Sequence, residues 1–471
     1  MSNQLTVGDI SIDKMNIECA AGKWSLIPHF EELNIYEDLF ENTMTAHLTL
    51  QEGINIPSKF PIQGEETVDV SIRLTGVGDT EESILNPPLF HVYNLSDRFI
   101  RSPKSQRFSL DLVSEQYMSS LHTKISKSYS DMTADKIVGD IWSNYLDDDK
   151  DLYMEETKNS EQVIIPNWHP HQAINWLAKR SQPEDNTATS FLYYETMDGS
   201  HFRSLNKMAE SVKDSEPLIT IAKQEITDDP DKIEALSGGL IKADHIIHMN
   251  LFDKVQNIKQ GQYSSKLLTH DIVKKKIHQH DFNGHADWMW NNHTGTYPLI
   301  ADSPTELQAG NTYRVSLAPP FNPNLAVTEG RQLSDYTDSH VEFYPKHDKM
   351  YAKNAGHEYD NKVEEWKLRR SSHLQVYDSV RMDVYCAGVS FIRLGMTVKL
   401  IVPSTEGTSD GKRENAFDKH LTGTYLITSI KHTFTQGESG NFGYKMLLEL
   451  SKDGLEQMAS YRMPRKQGAS K

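Results

Sequence analysis

The chain has 471 residues, 37% hydrophobic and 24% charged, which is enough for two to four domains with a buried core and too apolar for a disordered polymer. Its net charge of −17 repels nucleic acid and argues against a protein that grips DNA, while leaving room for a surface DNA slides past. Two cysteines, Cys19 and Cys386, exclude a disulfide framework and a four-cysteine zinc site; no apolar run nears the ~18 residues of a membrane helix, and Met1–Asp9 lacks the charged and apolar regions of a secretory signal, so assembly in a cytosol without membrane insertion is expected.

Residues 1–118 read as β. Met44, Ala46, Leu48 and Leu50 alternate with polar neighbours, as do Val68, Val70, Ile72 and Leu74. Phe90–Leu95 and Arg107–Leu112 flank a polar turn around Arg101–Gln106 and predict a hairpin. Residues 119–232 change period. Thr133–Leu146 predicts an amphipathic helix with Ile137, Val138, Ile141, Trp142 and Tyr145 as its stripe and Thr133 as N-cap; a second helix spans Pro170–Arg180. Ser190–Glu195 and His201–Leu205 flank Met197–Ser200 as another hairpin, which together suggests a small α+β domain.

Residues 233–282 return to loose alternation, at Ile246–Val255 and Gln262–Lys276 with Gly261 between. Residues 283–375 hold Trp288, Trp290, a loop at Pro319–Pro323 and a helix over Lys362–Tyr377. Three further strands are expected from 376 to 455. Val398, Leu400 and Val402 share a face, as do Leu426, Ile430 and Phe434, and Tyr444, Met446, Leu448 and Leu450; the gap Gln436–Asn441 makes the last two a hairpin. Residues 456–471 form a polar, basic tail.

The two ends of the chain echo each other. Gly64-Glu-Glu-Thr67-Val68-Asp-Val70 matches Gly395-Met-Thr397-Val398-Lys-Leu400, and the 25 residues from Val68 to Tyr93 compare with 27 from Val398 to Tyr425. This order and spacing predict a repeated β-barrel.

The stretch Arg381–Gly454 also resembles a known family. A G-x-T-V strand, a polar loop, Leu421-Thr-Gly-Thr-Tyr425-Leu-Ile-Thr-Ser-Ile430-Lys-His-Thr-Phe434 and a final strand ending Leu448-Glu-Leu-Ser-Lys-Asp-Gly454 are similar to the C-terminal tube barrel of baseplate hub proteins of contractile-tailed bacteriophages, a fold shared with the hub portion of type VI secretion spike proteins. The resemblance implies a mainly β, α+β protein: two similar small antiparallel β-barrel tube domains and an inserted α+β domain. On this reading residues 1–118 are the first barrel. Residues 119–232 and 283–375 make the α+β domain, 233–282 and 376–455 the second barrel, and 456–471 the tail. It implies a structural homotrimer in the virion's tail baseplate, a ring of six similar units. Its expected partners are the tail tube protein, the central spike protein, the tape-measure protein and other baseplate proteins, with DNA passing through the channel without specific binding. The hub of a phage-derived injection or type VI apparatus is the first alternative, although no β-helix needle follows the barrel here.

No catalytic, cofactor-binding or metal-binding residue is predicted. His278 and His280 share one strand face with His285 and His293 nearby, but no zinc-motif spacing accompanies them, so a metal-dependent hydrolase is a remote alternative. His169-Pro170-His171 reads as a helix start. Asp147–Asp151 fails as a calcium loop because Leu152 and Lys158 occupy the places of the required Gly and Glu; Asp228–Asp231 is a turn. There is no G-x-S-x-G elbow and no phosphate-binding glycine run, Gly238-Gly239 being isolated. The aromatic residues and lysines of Lys274–Trp290 lack the basic groove that single strands need.

Overall fold

The computed structural model describes residues 8–456 apart from 21, 61, 76–83, 147–149, 159, 185–188, 215–218, 224–239, 251–252, 289–290, 296, 299–335, 348–360, 405–416, 419 and 438–440. Asp228–Asp231, Gly238-Gly239, Trp290, Pro319–Pro323, most of the acidic run at 147–151 and the tail beyond 456 lie outside the described residues. The protein is mainly β, with a few helices packed on its sheets.

The N-terminal module has six principal strands: β1 (Asp9–Cys19), β2 (Phe30–Asp38), β3 (Thr45–Glu52), β4 (Thr67–Leu74), β5 (Phe90–Ser102) and β6 (Ser105–Ser114). Period-two patterning decides their faces: Val68, Val70, Ile72 and Leu74 of β4 are buried, while Thr67, Asp69, Ser71 and Arg73 stay partly exposed. Each buried aliphatic contributes about 1.5–3 kcal/mol. They pair in the order β1-β4-β5-β6-β3-β2, all antiparallel.

Next come β7 (Ile125–Thr133), α1 (Ala134–Tyr145), β8 (Ser160–Trp168), α2 (Pro170–Ala178), β9 (Phe191–Thr196) and β10 (Gly199–Ser204). Ile137, Val138 and Ile141 of α1, Ile174 and Leu177 of α2, and Phe191 and Phe202 of the hairpin form a separate core, as the helical stripe predicted. Thr133 sits at the N-cap position without making the cap bond. Instead the Asp135 amide donates to Thr157 Oγ1 at 3.2 Å and the Thr157 amide to Asp135 Oδ1 at 3.3 Å.

The remaining elements are β11 (Thr220–Lys223), β12 (Leu240–Asn250), α3 (Lys254–Lys259), β13 (Ser264–Asp271), β14 (Lys276–Asn283), β15 (Val341–Pro345), α4 (Val363–Tyr377), β16 (Val380–Ala387), β17 (Thr397–Ile401), β18 (Gly423–Gln436) and β19 (Phe442–Lys452). Strands β11, β12 and β16–β19 pair in the order β11-β17-β18-β19-β16-β12, and β12 returns to β11, closing a six-stranded barrel.

Labelled by sequence order within each module, the two pairing orders coincide strand for strand. One strand differs in direction: β11 runs parallel to β17 and β12, whereas β1 is antiparallel to β4. The ladders refine the echo read from sequence. Val68 lies opposite Phe90, and Val398 opposite Tyr425, so the counterpart of Tyr425 is Phe90, not Tyr93. Both are fully buried. Tyr93 is skipped by a bulge between Val92 and Asn94, as Thr428 is between Ile427 and Ser429.

Two boundary expectations change. β13 and β14, read as part of the second barrel, pair with each other and with β15 in a separate three-stranded sheet, covered on its inner face by α4 through Leu267, Phe282, Val363, Trp366 and Leu368. Conversely β11, placed in the α+β region, belongs to the barrel. Loose alternation signals a strand but not which sheet it joins, and Lys254–Lys259 between them is a helix. Arg370 of α4 donates through Nη1 to the carbonyls of Ala178, Thr189 and Phe191, tying the late helix to the early α/β elements. Among the described residues no helix is long and apolar enough to cross a membrane.

Candidate assembly surface

The two modules are fused edge to edge. Strand β2 pairs antiparallel with β18 from Asp38↔Ser429 to Glu32↔Thr435, and Asp9 and Ile10 of β1 pair with Gly443 and Phe442 of β19, so both modules lie in one fourteen-stranded sheet. On the inner side of this seam Leu33, Ile35, Ile430 and Phe434 are fully buried, and Phe434 stacks on Tyr444 with centroids 4.6 Å apart. His432 shares a 2.7 Å hydrogen bond with the Tyr444 hydroxyl, and its other nitrogen lies 3.9 Å from Glu37, whose carboxylate accepts from the Met197 amide at 3.0 Å. Burial pushes the Tyr444 hydroxyl far above the usual phenol range, so it stays protonated.

The seam's outer side is polar and also stitched. Thr433 Oγ1 donates to Asn34 Oδ1 at 2.9 Å, Ser429 Oγ to the Glu37 carbonyl at 3.0 Å, and the Lys431 ammonium sits 5.6 Å from the Tyr36 ring. The ladder register carries this face across eight strands in the order β5-β6-β3-β2-β18-β19-β16-β12. Its charges are mixed. His47 pairs with Asp111 at 2.7 Å and Arg381 with Glu449 at 2.7 Å, and Asp38 and Asp383 are raised above the usual carboxylate range by burial and by the neighbouring Glu449.

At the two ends of that eight-stranded run the edges lack ladder partners among the described residues. Beyond its contact at 90–91 with β4, β5 pairs only with β6; beyond 243, β12 pairs only with β16. These edges carry apolar side chains: Phe99 is 61% exposed, Ile100 69%, Ile247 45% and Met249 58%. The repeat gives each its counterpart at the seam. Ile100, opposite Gln106, occupies the place of Phe434, opposite Tyr444; Phe99 occupies that of Thr433. On β12, Ile246 and Ile247, opposite Val384 and Asp383, take the places of Leu33 and Asn34, opposite Leu48 and His47. Sequence reading passed over these residues because Phe99-Ile100 sits beside a polar turn. Two aliphatic or aromatic residues at the end of a strand with no burial partner was the signal available.

The residues weighed for chemistry are not brought together. His278 and His280 lie on β14, where His280 is 3.6 Å from Glu364; His293 is on the far side of α4, its Nδ1 2.6 Å from Asp453 Oδ2. His285 lies on a helix of residues 284–288. Among the described residues no group of three or more His, Cys, Asp or Glu side chains is arranged to hold a metal. His293 and Asp453 form a buried structural pair. Burial opposes both charges, but the Asp453 carboxylate leaves His293 raised, and His293 with the Thr294 hydroxyl leaves Asp453 lowered. His169 and His171 begin α2. A cleft of about 860 Å³ between β10 and the 393–396 turn is lined by both signs of charge, Glu155, Glu210, Arg203 and Arg393 among them.

No family model and no curated protein matches the sequence. Solved structures do align with the chain. A tail protein from Neisseria meningitidis MC58 aligns with a TM-score of 0.48 and 10% identity, covering 94% of this chain and 97% of that one. The 43 kDa tail protein of prophage MuSo2 from Shewanella oneidensis gives 0.48 and 8%, over 94% and 98%. The E. coli c3393 protein, described as a type VI secretion component with structural similarity to T4 bacteriophage tail proteins gp27 and gp5, gives 0.41 and 8%, over 97% and 79%. The structural neighbours are phage tail proteins and type VI secretion components.

Proposed function

We propose that the chain is the structural, non-enzymatic hub of a contractile tail baseplate, three copies of which form a pseudo-sixfold ring. The observation that carries this reading is the repeat of the β2–β18 junction as two edges without ladder partners among the described residues. If β12 of one copy meets β5 of the next as β2 meets β18 within the chain, Ile246 faces Ile100 and Ile247 faces Phe99. Apolar side chains exposed in the single chain then become buried, as Leu33 and Phe434 are at the seam. Each copy supplies two modules, so three copies close a ring of six. Such a ring adapts a sixfold tail tube to a threefold central spike, and the sheet's polar outer face would line its channel.

That face carries Glu32, Asp38, Asp111, Asp383 and Glu449 against Arg107, Arg381, Lys431 and Lys445. It is mixed rather than densely acidic, with few unopposed cations to hold phosphates, which suits passage of DNA and a tape-measure protein without adhesion. The test is electron microscopy of the purified chain with its spike and tube partners: a ring of six lobes around a central opening, seated between tube and spike, is expected. Particles of any other lobe number would refute the role.

A further inference from the structure

The β13–β14 hairpin presents a surface that neither six-stranded module uses. Among the described residues its sheet has one covered face and one bare face. Leu267 and Phe282 point to α4, and the register sets Ile277 beside His270 and Pro345, Leu268 beside Phe343, and Lys266 beside Val341 on the other side. On that bare face Ile277 is 61% exposed, Phe343 56% and Val341 48%; at the hairpin tip Ile272 and Val273 are exposed as well. A sheet face normally packs under a second layer, and among the described residues this one has a layer on one side only.

The same tip carries Lys274-Lys275-Lys276, all exposed, in a chain of net charge −17. The Asp271 carboxylate at this tip is buried and engaged in the turn: it accepts from the amides of Val273 at 3.0 Å and Lys274 at 2.8 Å and lies 3.2 Å from His347 Nδ1, with the Lys274 ammonium 3.9 Å away. Lys275, at φ +54°, holds the left-handed position of the turn. An apolar strip thus ends in a concentrated positive charge.

We propose that this face docks an amphipathic helix of an acidic partner protein, its apolar side on Val341, Phe343 and Ile277 and its acidic end on Lys274 and Lys275 of the tip. The strip runs along six or seven strand residues, about 20 Å at ~3.3 Å each, the length of a helix of ~13 residues. A helix C-terminus, with its negative dipole end, set on the lysines adds to the attraction. An anionic bilayer fits less well. It would engage the tip but leave Val341 and Phe343 bare, and the chain's overall charge would repel it.

The test uses the full chain and two synthetic 14-residue amphipathic helices that differ only in three C-terminal glutamates or lysines, with binding read by fluorescence anisotropy. The acid-ended helix is expected to bind at least tenfold tighter. Lys274→Glu/Lys275→Glu should reverse that preference, and Phe343→Ser, at an exposed position that leaves folding intact, should weaken binding of the acid-ended helix about tenfold. Equal binding of both helices overturns the proposal. So does binding to phosphatidylglycerol vesicles without helix discrimination, or self-association that the lysine reversal abolishes, which would name a lipid surface or a second copy instead.

Discussion

The repeat makes one position testable twice. Phe434 and Ile100 occupy equivalent places, yet the first is fully buried at the seam within the chain and the second is 69% exposed. Phe434→Ala removes a ring stacked 4.6 Å from Tyr444 and packed over Leu33, so a loss of about 3–5 kcal/mol in unfolding free energy is expected. Ile100→Asp changes a solvated side chain in the isolated chain, where about 0.5 kcal/mol or less is expected. In the proposed ring the same residue would be buried as Phe434 is at the seam. Losing about 2 kcal/mol of aliphatic burial weakens each junction about 30-fold. Three junctions compound to roughly 10⁴ in the overall association constant, before the further cost of desolvating a carboxylate. Urea unfolding below the association threshold and sedimentation equilibrium above it measure the two effects. An Ile100→Asp chain that assembles like the parent, or that is as destabilised as Phe434→Ala, would refute the equivalence.

Other consequences follow from the buried polar groups. His171 and His373 are buried and pushed down to about 4, so both fold neutral. Their contribution is complete above the unfolded value of about 6.5 and is lost as pH falls towards 4, and unfolding free energies from urea melts should drop across that range by up to about 1.4 kcal/mol per pH unit for each histidine. His293 has the opposite sign. Raised by Asp453, it stabilises fully below about 6.5 and loses that contribution as pH rises through its folded value; the lowered Asp453 stabilises above about 3.9. Asp453→Asn should therefore cost about 3 kcal/mol near pH 6 and less at pH 9, read from urea melts at the two pH values. Gly199→Ala places a Cβ 2.3 Å from the Asp151 carbonyl oxygen at φ +145°, and should lower stability by about 3 kcal/mol and expose the amides of β10 to hydrogen exchange.

Much of the fold was legible because period and turn chemistry act locally. Alternation marked β3, β4, β18 and β19, and the Ile137-Val138-Ile141 stripe marked α1. The Thr67-Val68 and Thr397-Val398 echo pointed to a repeat, and the shared pairing order supports it through contacts no local pattern displays. What escaped was non-local. Nothing in Lys266–Asp271 says that its partner is Val341–Pro345 rather than the barrel, and four residues, Thr220–Lys223, are too few to announce a barrel strand. The register error at Tyr93 came from a bulge, which shifts counting by one without changing residue character. The edges at Phe99-Ile100 and Ile246-Ile247 acquire meaning only once the seam that buries their counterparts is seen.

The most direct test of the threefold ring joins its proposed junction covalently. With Cys19→Ser removing the accessible thiol, and Cys386 buried and pushed up to about 12, Phe99→Cys and Ile247→Cys place one new thiol on each edge. Mild oxidation should yield disulfide-linked species ending at three times the 53.7 kDa chain mass on a non-reducing gel, with neither single variant doing so. Chains that stay at one mass, or link without stopping at three, would contradict the account.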